Sequence, residues 1–541
     1  MPSLVLGPML RYVDETSATI WVETDSPCTV TCLGHSTDTF TVHGRHYALV
    51  EIEGLEPGTV TSYTVELDAD QVWPPDEPVG RSVIRTVSQD GGHRLMFGSC
   101  RVSAPHDDTA VDEYGIDTLY AYAKQLLDHP DQQWPDALIM LGDQVYADHP
   151  PEEIREYIRS RRDTSEPPGE EIADFDEYAR LYHLAWSEPT IRWLLSTLPT
   201  MSIFDDHDLR DDWNTSHAWR QTMGRLEWWR RRVVAGLSSY WVYQHLGNLS
   251  PSQCAEDKLL TQLREHDGDG AHIIDEFSAD ADVDPSAHQW SYARDFGDSR
   301  LIVLDSRCAR VLTPGARRMI DDVEWDWFMD QAAGDVDHLI IGSSVPVLLP
   351  MGLHYVESWN EAVADGVWGR HAAQAAEKIR QAIDLEHWGA FRDSFKDMSR
   401  VVAERAKGQR GRAPQTISFL SGDVHYSYLA KARIKGAKSH VYQLVCSPIR
   451  NPLSDLLRLA NVAASFIGAG MVGYGLARLA GVHRTPFPWR VRRGPWFDNS
   501  IATLDLDGRE ATVSWHSVKG DSPDTARLRT VGVTSLTGGD V

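Results

Sequence analysis

The sequence has no excess of positive charge: 52 lysines and arginines stand against 79 aspartates and glutamates, a formal net charge of −27 over 541 residues. Such a field disfavours non-specific contact with nucleic-acid backbones, so no nucleic-acid partner is expected. Cysteine is scarce. The six, Cys28, Cys32, Cys100, Cys254, Cys308 and Cys446, are widely spaced, which excludes a zinc-type double pair and points to reduced, mostly buried thiols. No basic segment followed by a long apolar stretch opens the chain, and the lack of that leader pattern predicts a cytoplasmic protein. Neither a P-loop nor a Rossmann glycine pattern in the right context occurs, so no nucleotide cradle of those kinds is expected. One uncharged run, residues 459–477, reaches the lower length of a spanning helix, but its four glycines make it only mildly hydrophobic and no second run accompanies it. A buried or self-associating helix is the plain expectation. The sharper one adds Arg484, Trp489, Arg490, Arg492, Arg493 and Trp496, a basic aromatic patch that makes 459–496 a candidate for peripheral membrane contact.

What is present is a layered pattern. Residues 3–88 alternate apolar and polar positions between turn signals, as in Thr19-Ile20-Trp21-Val22-Glu23, which predicts a small β-sandwich domain over 1–88. Within it, Gly54-Leu55-Glu56-Pro57-Gly58-Thr59 followed by Tyr63 resembles a turn of fibronectin type III (Ig-like) modules. Residues 88–92 read as a linker. Over 93–520 strand-like runs alternate with helical patterns, which argues for α/β layers. Arg, Glu and Trp at helical spacing predict helical insertions at about 151–198 and 220–265, outside the sheet. Residues 267–287, acidic and glycine-rich, lack the spacing of a calcium-binding EF loop and read as a solvated loop.

Four apolar runs, 95–97, 137–141, 201–204 and 417–420, each end in residues able to bind metal. These are Ser99-Cys100-Arg101, Gly142-Asp143-Gln144-Val145-Tyr146, Asp205-Asp206-His207-Asp208 and Gly422-Asp423-Val424-His425. In an open α/β sheet the strand ends converge on one crevice, so distant residues can build one site there. Each group also has a plainer role. Cys100 by type is a buried small hydrophobe, and a thiolate there needs Arg101 or a metal. Asp143 alone reads as a helix N-cap and Tyr146 as a half-buried aromatic; together they offer a bridging carboxylate and a hard anionic oxygen suited to ferric iron. Three carboxylates around His207 are costly without cations. Asp423 and His425, two apart in an extended segment, would point to one side as a ligand pair, or else form a hydrogen-bonded pair without metal. Arg307, after the run 301–304, reads as half of a structural Asp–Arg ion pair, with an anionic substrate group as the alternative.

The ordered set FGSCR, LGDQVYAD, DDHDLRDDW, LDSR and LSGDVH resembles the PhoD-like alkaline phosphatase family of the metallophosphoesterase superfamily. The resemblance implies a four-layer αββα catalytic domain behind the small β-sandwich. It also implies a dinuclear or larger site with Fe3+ and Ca2+, and hydrolysis of phosphate esters by a metal-activated water. Carried over by motif, Cys100, Asp143, Tyr146 and His425 would surround iron. Asp143 would bridge to a calcium that Asp206 and Asp423 approach, with His207 beside the transferring phosphoryl group and Arg101 as a phosphate clamp. The chain departs from the pattern twice. Asp211-Asp212 stands where the family commonly has an Asn pair, and residues 340–344 carry no histidine where dinuclear phosphoesterases often place a ligand. The expected substrate is a small-molecule or lipid phosphate ester, with diesters preferred; a phosphomonoesterase and a non-catalytic phospho-ligand binding protein are the alternatives.

Overall fold

The computed structural model describes residues 1–88, 91–453, 467–520 and 522–538. Leu4–Val13, Ser17–Thr24, Arg45–Glu53 and Phe40–Val42 form one four-stranded sheet of the N-terminal region, and His35–Asp38, Thr29–Cys32, Val65–Leu67 and Asp70–Trp73 form another. Ile20, Val22, Val50 and Ile52 of the first sheet share a buried cluster with Val30, Val65, Leu67 and Trp73 of the second. Side chains alternate along a strand, so Trp21, Tyr47 and Leu49 point the other way. They join a second cluster with Tyr178, Tyr182, Trp186, Trp193 and Tyr243 from the helical segments. The N-terminal region and those helices therefore share one core.

Arg11 crosses this interface. It is buried and donates from Nη1 to the Tyr243 carbonyl at 3.1 Å and from Nη2 to the Gln244 carbonyl at 2.5 Å. Burial pulls its pKa down to about 10, so it stays charged at neutral pH. Both carbonyls belong to a π-helical turn, Trp241–His245, which follows helix Trp229–Tyr240. Such turns occur mostly as single bulges, frequently next to functional sites.

From residue 93 two larger sheets form. The first runs Thr200–Ile203, Ala137–Leu141, His93–Gly98, Ser500–Asp507, Glu510–Lys519, Arg527–Ser535. The second runs Tyr292–Phe296, Ser299–Leu304, His338–Ser343, Thr416–Ser421, His440–Val445, Ser427–Ala432, Trp489–Trp496. His93–Gly98, Ala137–Leu141 and Thr200–Ile203 are parallel, as are Ser299–Leu304, His338–Ser343, Thr416–Ser421 and His440–Val445. Parallel strands bring their C-terminal ends to one edge. Leu95, Phe97, Ile139, Leu141 and Ile203 share a buried cluster with Leu301, Val303, Ile340, Leu420 and Leu444, so the two sheets pack against each other. The chain is a mixed α/β protein with a β-rich N-terminal region.

Residues 267–287, expected as a solvated loop, contain the helix Ala271–Val283. Ile274, Ser278 and Ala281 are buried at i, i+4 and i+7, and Asp269 accepts the backbone N–H groups of His43, Gly44 and Ala271. The acidic outer face masks a narrow buried stripe. Residues 89 and 90 of the expected linker, and 459–466 of the apolar run, lie outside the described residues. The rest of that run falls in the helix Ile467–Leu479. Among the described residues, no helix is long and apolar enough to cross a membrane.

Arg11→Met keeps the stem's bulk but leaves two buried carbonyls without their charged donor. Unfolding free energy is expected to fall by about 2–4 kcal/mol, read from chemical denaturation. A loss below about 0.5 kcal/mol would mean that packing alone holds the π turn.

Candidate metal centre

The strand ends that reach the crevice carry residues in left-handed backbone: φ is 58° at Cys100, 51° at Asp143, 66° at Asp423 and 54° at His425. Each such residue costs about 1–3 kcal/mol and persists only where its surroundings fix it. Two glycines allow the loops to approach. A Cβ on Gly142 would lie 2.5 Å from Asp205 Cβ, and one on Gly422 would lie 1.9 Å from Ser99 Oγ. Close packing at these points sets the spacing of the neighbouring ligands.

Asp208 acts as an internal clamp. Its Oδ1 accepts the N–H groups of Gln144 at 3.0 Å and Val145 at 3.2 Å, and its Oδ2 accepts those of Asp143 and Asp205 at 3.0 Å each. Gln244 Nε2 donates to Oδ1 at 3.3 Å. One buried carboxylate thus ties two ligand loops together, which separates Asp208 in role from Asp205 and Asp206.

Cys100, Asp143 and His425 each offer a ligand atom within 4.8 Å of the others, and Asp143, Asp205 and Asp206 form a second group of that kind. Asp143 is common to both. Tyr146 Oη lies 3.4 Å from Asp143 Oδ2, beside the first group. Burial, then the charge of Asp143, pushes the Cys100 thiol well above its ordinary pKa, so a thiolate there requires a cation. Burial pulls His425 down to about 4, which leaves the neutral imidazole that metals bind. Burial and then Asp205 push Asp143 well above the carboxylate range. Asp143 Oδ1 and Asp205 Oδ2 are buried without a hydrogen-bond partner. Orphaned buried oxygens are costly, and cations would satisfy them. The donor set therefore fits metal ions.

Two further groups form around Asp206, one with His207 and Asp211 and a third carboxylate group with Glu386 and Asp423, and a protein cation fills the latter. Arg307 is fully buried; its Nη2 lies 3.0 Å from Asp206 Oδ1 and 3.2 Å from Asp423 Oδ1, its Nη1 lies 2.6 Å from Glu386 Oε2, and its Nε bonds Asp205 Oδ1. A structural Asp–Arg ion pair is what the sequence predicts here, and its carboxylates come from other segments rather than from the neighbouring Asp305. That carboxylate accepts the backbone N–H groups of Arg307, Cys308 and Ala309 instead, leaving the guanidinium to the crevice.

Asp423 and His425 do not share a side. Left-handed φ at both positions breaks the alternation of an extended strand, so His425 joins Cys100 and Asp143 while Asp423 meets Arg307 and His387. His387 Nε2 lies 2.9 Å from Asp423 Oδ2, and its Nδ1 lies 2.7 Å from Glu357 Oε1. Glu386 and His387 went unmarked by the sequence patterns because they precede a short 3-10 turn, Trp388–Ala390, with no strand in front. The adjacent acid and imidazole were the only available signal.

His207 is held by Asp148, with Nδ1 2.9 Å from Oδ2, while Nε2 lies 3.9 Å from Asp211 Oδ1. Burial opposes its charge, yet Asp148, Asp206 and Asp143 outweigh it and raise the imidazole well above its ordinary pKa. Asp148, the last residue of LGDQVYAD, is a partner the motif contained and the sequence patterns left without a role. Asp212 donates its N–H to Asp206 Oδ2 at 3.0 Å and has a partnerless Oδ1; burial, then Glu386 and Asp384, pushes it up to about 9. Arg101 is buried with its guanidinium on Asp117 Oδ2, at 2.9 Å from Nε and 2.8 Å from Nη2, and on the Ala185 carbonyl at 2.9 Å. Asp117 also caps the helix Thr118–Leu127. These contacts tie Arg101 to the protein frame.

A family model described as PhoD-like phosphatase matches residues 114–455, and one for a domain of unknown function, DUF7800, matches residues 1–84. A solved structure titled "Structure of PhoD" superposes with a TM-score of 0.59 at 12% identity, covering 99% of this chain and 92% of that one. At that identity the likeness is one of fold. The structure of purple acid phosphatase PPD1 isolated from yellow lupin (Lupinus luteus) seeds gives a TM-score of 0.48 at 10% identity, covering 98% of this chain and 73% of that one. No curated protein matches the chain. The PhoD-like model spans more than half of the sequence and takes in Asp143, Tyr146, Asp206, His207 and Asp423, and the chain belongs to the PhoD-like phosphatase family.

Proposed function

We propose that the protein is a metal-dependent hydrolase of phosphate esters, with phosphodiesters as its preferred class. The observation that carries this reading is Asp143, which joins the Cys100–His425 group to the Asp205–Asp206 group and has a buried, partnerless Oδ1. Cys100, Asp143, Tyr146 and His425 mix thiolate, carboxylate, phenolate and imidazole and suit ferric iron; Asp143, Asp205 and Asp206, with Asp212 adjoining, offer only oxygen and suit calcium. When bound, such ions supply Lewis acidity toward phosphoryl oxygens and a water that ionises near neutral pH. Arg307 fills the third carboxylate group, so our reading has two cations. Asp423, expected as a ligand, then serves chiefly to hold Arg307 and His387 in place.

His207, fixed at Nδ1 by Asp148, presents Nε2–H as the donor to the leaving oxygen, a role suited to an imidazole held protonated. Arg101 becomes a positioning residue in place of a clamp, since its backbone N–H bonds the Asp143 carbonyl at 3.1 Å and its guanidinium holds Asp117. With that arginine engaged and Asp211 near His207, the rim offers little to a second phosphoryl charge, which favours a monoanionic diester over a dianionic monoester. The two large sheets packed together support the four-layer αββα order, and the paired N-terminal sheets support the fibronectin or Ig-like assignment.

Purified protein is expected to contain iron and to show a visible charge-transfer band that Tyr146→Phe shifts or bleaches. Zinc alone, with no band after addition of iron and calcium, would overturn the ferric assignment. Asp143→Asn should lower turnover by more than about 10³-fold with loss of metal, whereas His207→Ala should lower kcat by about 10²- to 10⁴-fold with metals retained. Equal metal loss in the two variants would make His207 a ligand. On paired aryl phosphates, kcat/KM for the diester should exceed that for the monoester by about tenfold or more, and the reverse order would reassign the substrate class.

A further inference from the structure

Residues 467–497 contain five arginines and no aspartate or glutamate, in a protein of net charge −27. Within this stretch the helix Ile467–Leu479 packs through small residues. A Cβ on Gly473 would lie 2.9 Å from the Gly352 carbonyl and 3.2 Å from Tyr355 Cβ, both on helix Met351–Ala364, and Ala477 is buried. Its other face carries Met471, Val472 and Leu479 at 72%, 76% and 73% exposure. The Trp368 indole N–H bonds the Leu479 carbonyl at 3.3 Å, and Val367 and Trp368, both exposed, extend the apolar surface. Scattered exposed apolar side chains are ordinary; a grouped set marks an interaction site.

Positive charge borders this set at Arg478 and Arg484 and continues along the strand that follows in the chain. Arg478 is exposed at the helix end, Arg484 stacks on Tyr474 at 5.1 Å, and Arg490, Arg492 and Arg493 are exposed along Trp489–Trp496 at the sheet edge. An acidic soluble partner would answer the arginines but leave Met471, Val472 and Leu479 in water. An anionic bilayer answers both, because phosphate charge and an apolar phase lie within one arginine length of each other. We propose that this face docks the protein on anionic phospholipid surfaces.

The position is suited to that use. Helix Met351–Ala364 supports the face on one side and on another carries Glu357, which holds His387 against Asp423. Two packed helices, Ile467–Leu479 and Met351–Ala364, therefore lie between the docking face and the Asp423 side of the crevice. The proposal concerns binding and stands whether or not the catalytic reading holds.

The test uses the full chain, pelleted with vesicles of phosphatidylcholine or of phosphatidylcholine mixed with phosphatidylglycerol. Association is expected with the mixed vesicles, about tenfold or more weaker with phosphatidylcholine alone, and weakened by salt. The triple variant Met471→Ser, Val472→Ser, Leu479→Ser and the triple variant Arg490→Gln, Arg492→Gln, Arg493→Gln should each weaken it by about tenfold, with thermal melting unchanged. The proposal is overturned if the wild type ignores both vesicles, if both lipids bind it equally, or if either triple variant binds as the wild type does. Light scattering that finds a dimer abolished by the serine variant would also overturn it, assigning the face to a second copy of the chain.

Discussion

Burying Asp143, Asp205, Asp206, Asp423 and Glu386 around one crevice is the constraint on which the rest of this structure depends. Two like charges 4 Å apart repel by about 4 kcal/mol at an effective dielectric of about 20, so five carboxylates cannot remain ionised there without compensation. Arg307 supplies one fixed positive charge at the Asp206, Glu386, Asp423 side. On the Asp143 side the ligand partners are a thiol, a phenol and a neutral imidazole; His207 beside Asp143 and Arg307 Nε on Asp205 compensate only part of the charge, and the rest must come from elsewhere. This asymmetry divides the crevice into a half neutralised by the protein and a half open to metal.

The geometry of each half is set by backbone rather than by the ligands. Asp305, by accepting three successive N–H groups, turns the chain so that the Arg307 guanidinium enters the crevice. Asp208 does the equivalent for Asp143 and Asp205. Gly142 and Gly422 permit contacts that any side chain would block. A family of small steric and hydrogen-bond requirements thus carries a site whose visible chemistry lies in other residues.

Strand ends were legible because apolar runs of three to five residues cut off by Asp, Cys or His admit few other interpretations, and the observed strands Ala137–Leu141 and Thr416–Ser421 end within one residue of those runs. Direction was not legible. Whether Asp423 and His425 face together depends on φ at single residues, which no spacing rule encodes. Residues contributed by irregular backbone, Glu386 and His387 among them, carried no periodic signal. That Arg307 would pair with aspartate was legible, but which carboxylates it meets was not, because they come from three other segments. The helix Ala271–Val283 was hidden for a related reason: its buried stripe holds only Ile274, Ser278 and Ala281, too little apolar surface to stand out against the four aspartates and glutamates of the same helix.

The N-terminal region enters the site by a continuous path. Arg11, on Leu4–Val13, holds the backbone carbonyls of Tyr243 and Gln244; the Gln244 side chain donates to the Tyr182 hydroxyl at 2.9 Å and to Asp208; Asp208 binds the N–H groups of Asp143 and Asp205. Every link is buried, so none can exchange its partner for water without cost. A π turn displaces Gln244 from the register that an uninterrupted α-helix would give it, and Arg11 is the charged donor bound to that displaced segment. The β-rich region therefore shares more with the α/β sheets than apolar contact. Its arginine stabilises the backbone distortion that lets a glutamine reach the clamp, and the clamp fixes the spacing of the carboxylates that a cation would bridge.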